Sequence, residues 1–161
     1  MTNLKRLGPI VVISALITLL AGAALATPST TDFVGKSLVR ASFGQLHAQH
    51  DGVKVDSMQG KADVAVFKVT IGPGGSSGWH HHPGVVLVSV KSGAVTRYDH
   101  QCHKTVYKAS EGFVESHDHP MLVRNHGKGD AVLFVTYLVP SSTTEEGLRI
   151  DDPRPKGCNV K

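Results

Sequence analysis

An all-β domain, closed into a barrel or folded as two packed sheets, is what this chain predicts. Short stretches of alternating apolar and polar residues carry that expectation, together with Gly, Pro, Asp and Asn recurring between them. No helix-period stretch of useful length follows residue 30, which points away from a layered α/β arrangement. With 161 residues, 40% of them hydrophobic, there is material for one domain around one core.

Candidate strands run over residues 37–42, 63–71, 85–91, 94–98, 104–108, 112–115, 121–125 and 131–139. The second is the clearest: Ala65, Phe67, Val69 and Ile71 fall on one face, Lys68 and Thr70 on the other. Ser92-Gly93 and Lys128-Gly129-Asp130 stand where tight turns would join neighbouring strands. Residues 27–34 read as a flexible N-terminal segment, 35–140 as the barrel, and 141–161 as a tail with little pattern of its own.

Residues 1–26 have the shape of a secretory signal peptide. Lys5 and Arg6 precede an apolar run from Leu7 to Leu25, and the run closes on the small-residue exit Ala24-Leu25-Ala26. Cleavage is expected after Ala26; a retained anchor is the competing reading, disfavoured by Gly8 and Pro9. Loss of Lys5 and Arg6 takes the formal charge from +4 to +2, and no Lys/Arg run remains. Nucleic acid is therefore a poor partner, stable membrane insertion is not expected after cleavage, and the expected location is periplasmic or secreted. In such an oxidising compartment the two cysteines, Cys102 and Cys158, are expected to pair and tie the tail to a loop. Free thiols or a cysteine metal site are the alternatives, and neither cysteine has a neighbour at CxxC spacing.

Ten histidines supply the candidate chemistry. His80 and His82 lie at His-x-His spacing, so on a strand they share a face while His81 points away. His117-Asp118-His119 repeats the spacing before another short apolar segment. Two clusters on separate strands suit a divalent ion, which wants three or four ligands converging from different strands. His47, His50, His100, His103 and His126 read as solvated, and Trp79 as a packing residue. No Gly-x-Ser-x-Gly or phosphate-cradling loop is present.

These residues resemble the cupins. Gly74, His80, His82 and Gly93 are spaced like the first cupin signature, and Gly112 to Asn125 is similar to a degraded second one. The wider pattern resembles bacterial exported cupin-domain proteins of unassigned activity: Pro73 to Gly84, Ser92-Gly93, Cys102, Val123-Arg124-Asn125, Tyr137 to Pro140, and Pro153-x-Pro155-x-Gly157-Cys158. The resemblance implies a double-stranded β-helix (jelly-roll) barrel gripping a divalent transition metal ion: iron, zinc, manganese, nickel or copper. It implies two histidines from the first signature, one from the second, and often a carboxylate. Here Val86 stands at the carboxylate position and Met121 at the second-signature histidine position.

The expected ligands are accordingly His80, His82 and His119, with His117 as substitute and Met121 as cavity wall or weak soft ligand. Against this stands the reading in which Met121 is core and His117 and His119 face solvent. No general base stands out, so two functions remain open. One is a mononuclear metalloenzyme, dioxygenase-like with iron or isomerase/hydrolase-like with other ions, acting on a small molecule in the barrel. The other is a non-catalytic module that binds or senses a small ligand or metal. Barrels of this kind often associate through exposed strands, which leaves room for a homodimer.

Overall fold

The structure, a computed structural model, describes residues 25–115 and 119–160. Its strands are β1 (Phe33–His50), β2 (Val53–Ile71), β3 (His80–His81), β4 (Val85–Ser92), β5 (Ala94–Tyr98), β6 (Lys104–Lys108), β7 (Gly112–Glu115), β8 (Leu122–Arg124), β9 (Ala131–Pro140) and β10 (Ile150–Asp151). A single 3-10 turn, Glu146–Leu148, interrupts them among the described residues. Five strands form one antiparallel sheet in the order β1-β2-β9-β4-β7, three form a second in the order β6-β5-β8, and β10 pairs with β3.

Alternation builds the core. In β4 Val86, Val88 and Val90 are buried while Val85, Leu87 and Ser89 are exposed, the pattern a half-buried strand of β-branched residues produces. These valines meet Val69 and Ile71 of β2, Leu133 and Val135 of β9, and Phe113 of β7. Val95 of β5 and Val123 of β8 close the same cluster from the second sheet. The apolar interior therefore lies between the two sheets, as the alternation predicts.

The first two strands extend well past the expected ones. Asp51 and Gly52 both take positive φ, 43° and 83°, the backbone of a tight two-residue hairpin turn. β2 pairs with β9 only from Ala62 to Ile71, so the rest of the β1–β2 hairpin runs on as a two-stranded arm.

Both ends of the described chain pack on the stretch that carries the histidine pair. Thr27 donates its N–H to the Asp152 carbonyl at 3.0 Å, and its hydroxyl accepts the Trp79 N–H at 2.9 Å. Of the segment expected to be a signal peptide, only Leu25 and Ala26 fall among the described residues. The expected Cys102–Cys158 disulfide is formed, with Cα atoms 5.6 Å apart. Cys158 is buried with Trp79, Tyr98 and Leu122, so Trp79 is a packing residue and the tail is held where β10 meets β3.

Candidate metal centre

Two glycines bracket the histidine pair. Gly78 has φ +68°, and a Cβ there would collide with the Thr27 carbonyl; at Gly84 it would collide with the Leu138 carbonyl of β9. The close backbone approach at both ends presses Gly78-Trp79-His80-His81-His82-Pro83-Gly84 onto the barrel. Within it His80 and His82 are buried, their rings edge to face at 4.8 Å. His81, of opposite parity, turns outward to Asp152 at 2.7 Å.

The two inward rings are oriented by carbonyls. His80 Nδ1 lies 3.0 Å from the Gly78 carbonyl and His82 Nδ1 lies 2.7 Å from the Leu148 carbonyl. A carbonyl only accepts, so each Nδ1 carries a proton and Nε2 is the atom left for a ligand role. Such orientation from behind is how imidazoles are held for a metal. Burial, with added repulsion from Arg149, holds His80 well below its ordinary pKa, so it stays neutral as a ligand must.

The third donor is Glu115, at the end of β7. Its register partner on β4 is Val86, whose partner on β9 is Tyr137, so the three side chains form one row on the inner face of the sheet. Glu115 Oε2 lies 3.0 Å from His82 Nε2, with both side chains almost wholly buried. Donor atoms of His80, His82 and Glu115 all fall within 4.8 Å of one another. Two ligand atoms at about 2.1 Å from one ion and at right angles to each other sit roughly 3 Å apart, so the His82–Glu115 spacing fits a shared ion.

His80 and His82 thus come together as expected from their spacing. His119 lies elsewhere: it is exposed, its ring 4.0 Å from that of His100. It precedes Pro120, and backbone pairing with His80 begins only at Met121, whose N–H and C=O both bond His80 at 2.9 Å. Met121 is buried but does not line the cavity beside the histidines. His117 lies outside the described residues. Glu115 and Val86 are 29 positions apart in sequence, and only the β4–β7 pairing makes them neighbours.

The cavity in front of the group has a volume of about 40 Å³. Val69, Val88, Val123 and Leu133 give it apolar walls, while Tyr137 and Arg149 add polar ones. Burial, reinforced by Glu115 and opposed by Arg149, raises the Tyr137 phenol far above its ordinary pKa, so it remains a hydroxyl.

No protein-family model and no curated protein matches the chain. Solved structures do. An uncharacterised protein with a double-stranded β-helix domain from Klebsiella pneumoniae aligns with TM-score 0.51 at 15% identity, over 77% of this chain and 87% of that one. The Cupin 2 domain of an XRE-family transcriptional regulator from Enterobacter cloacae aligns with TM-score 0.46 at 16% identity, over 68% and 97%. An oxalate oxidase aligns with TM-score 0.42 at 23% identity, over 48% of this chain and 46% of that one, less than half its length. At these identities the likeness speaks to fold, and the Klebsiella protein carries it. The chain has a double-stranded β-helix fold, and inside it lies a buried His-His-Glu group able to hold a metal ion.

Proposed function

We propose that this protein is a mononuclear metalloenzyme of an extracytoplasmic compartment. Its divalent transition metal ion would be held by His80, His82 and Glu115, and it would act on a small molecule in the barrel. The observation that carries this reading is the pairing of His82 Nε2 with Glu115 Oε2 at 3.0 Å. With Nδ1 turned to the Leu148 carbonyl, His82 Nε2 and Glu115 Oε2 converge on one point from two different strands. That point suits a cation, either a proton or a metal ion.

When bound, the ion would supply Lewis acidity or, as iron on two histidines and one carboxylate, redox chemistry at its open positions. The chain's own residues do the rest. The Gly78 and Leu148 carbonyls fix both imidazoles. Val69, Val88, Val123 and Leu133 wall the site with apolar side chains. The disulfide supports an oxidising compartment, and with it the periplasmic or secreted location.

A second reading, a non-catalytic metal-binding or sensing module, is favoured by the small cavity, since a volume of about 40 Å³ leaves little space for substrate beside an ion. Elemental analysis of untagged protein tests both. Near-stoichiometric metal in the wild type, lost in His80→Ala/His82→Ala, is the expected result; metal-free wild type after exposure to each candidate ion defeats both. Dioxygen consumption with small substrates then separates enzyme from binder.

A further inference from the structure

Arg149 stands out among the cavity-lining residues because it comes from the tail, outside the barrel strands, and brings a positive charge to the wall that holds His80, His82 and Glu115. It is fixed there. Its Nε donates to Asp151 Oδ1 at 2.8 Å, its Nη2 donates to the Ser77 carbonyl, and Phe33 lies under the guanidinium with its ring centre 6.0 Å away. Leu148, next in sequence, gives its carbonyl to His82. One short stretch of tail therefore orients a metal-binding histidine and sets a cation beside it.

Resting on the metal-binding reading, we propose that the centre binds a small anion of carboxylate chemistry, placed between the ion's open side and the Arg149 guanidinium, with the Tyr137 hydroxyl as a further donor. Charge supports it. A divalent ion with Glu115, Arg149 and Asp151 leaves one net positive charge in a largely apolar cavity, and a monoanion cancels it. Without the ion, Glu115, Arg149 and Asp151 leave no net positive charge. Anion binding therefore depends on metal. Size limits that anion to very few heavy atoms, because the cavity holds only about 40 Å³. A planar guanidinium already anchored on one edge is a suitable partner for a carboxylate.

The test uses the full chain loaded with cobalt(II), with the visible cobalt spectrum as readout. Acetate is titrated against its neutral isostere acetamide, and chloride serves as an inorganic anion. The expected result is a saturable change with acetate and none with acetamide, absent from metal-free protein when thermal shift replaces the spectrum. Arg149→Met should retain cobalt and bind acetate at least tenfold more weakly, with Arg149→Lys recovering part of the loss. Chloride matching acetate reassigns the site to simple anions and overturns the carboxylate assignment. Equal responses to acetate and acetamide, or undiminished acetate binding by cobalt-loaded Arg149→Met, overturn the role of Arg149. Failure of wild-type protein to take up cobalt or any other tested ion refutes the metal reading and this proposal together, whereas cobalt bound without an acetate response refutes this proposal alone.

Discussion

Replacing Glu115 by Gln separates the metal site from the fold. The substitution keeps shape and removes charge, and the new amide can donate an N–H to His82 Nε2, which faces Glu115 at 3.0 Å. In metal-free protein a neutral hydrogen bond, worth about 1 kcal/mol, then takes the place of the His82–Glu115 contact. Stability without metal should hold or rise. Metal binding should move the other way, because loss of one of three ligands should raise Kd by about a hundredfold or more, at least about 2.7 kcal/mol.

The consequence can be read in a melting curve. At an ion concentration of about one hundred times the wild-type Kd, binding stabilises wild type by about 2.7 kcal/mol, a rise of roughly 10 °C in Tm for a domain of this size. With Kd raised a hundredfold, the same concentration gives Glu115→Gln about 0.4 kcal/mol, a shift of roughly 1 to 2 °C. Thermal denaturation with chelator and with cobalt or zinc, checked by equilibrium dialysis, measures both halves. Wild-type metal affinity in Glu115→Gln would remove Glu115 from the centre. A metal-free variant that melts well below wild type would show that the carboxylate serves the fold instead.

Other outcomes follow from the same geometry. Cys158→Ser opens a bridge spanning 56 positions and should cost about 4 kcal/mol in the chain-entropy model, visible as a lower denaturant midpoint; an unchanged midpoint would mean that the tail holds without it. His80 is kept neutral by burial, so its folded pKa lies below the unfolded value of 6.5. Its contribution to stability is then whole above that pH and lost as pH falls from there toward the folded pKa, at up to about 1.4 kcal/mol per pH unit. Metal-free protein should accordingly weaken on acidification below neutrality, and His80→Gln should flatten that slope. Moving the carboxylate across the row in Val86→Glu/Glu115→Val should preserve metal binding that Glu115→Val alone abolishes, as scored by metal content.

Fold and site were unequally legible in the sequence, for a physical reason in each case. Strands with one buried face announce themselves: Val86, Val88 and Val90 alternate with exposed neighbours because the core selects every second residue. The hairpin arm has no such face. Its β2 half is exposed from Val53 to Val55 and pairs with β1 alone, so no burial pattern marks it, and Asp51-Gly52 was its one turn signal. The histidine pair was legible because period-2 spacing within one strand is local information. Leu148 and Arg149 were not, since the tail carries no alternation; its place is set by the disulfide and by the two-residue pairing of β10 with β3.

Glu115 shows why ligand position and ligand identity come apart in a barrel. The cupin resemblance puts a carboxylate at the place held here by Val86, and from the sequence that reads as a missing ligand. In an antiparallel sheet the requirement is weaker than a fixed position. A metal needs an oxygen at one point in space, and a side chain directly across the ladder has its Cβ only about 5 Å away and points to the same face. Glu115 meets that requirement from β7, and its reach spans the displacement. On the proposed metal reading the donor set is decided by strand register, which one sequence does not state, and Glu115 on the neighbouring strand supplies the carboxylate that Val86 lacks.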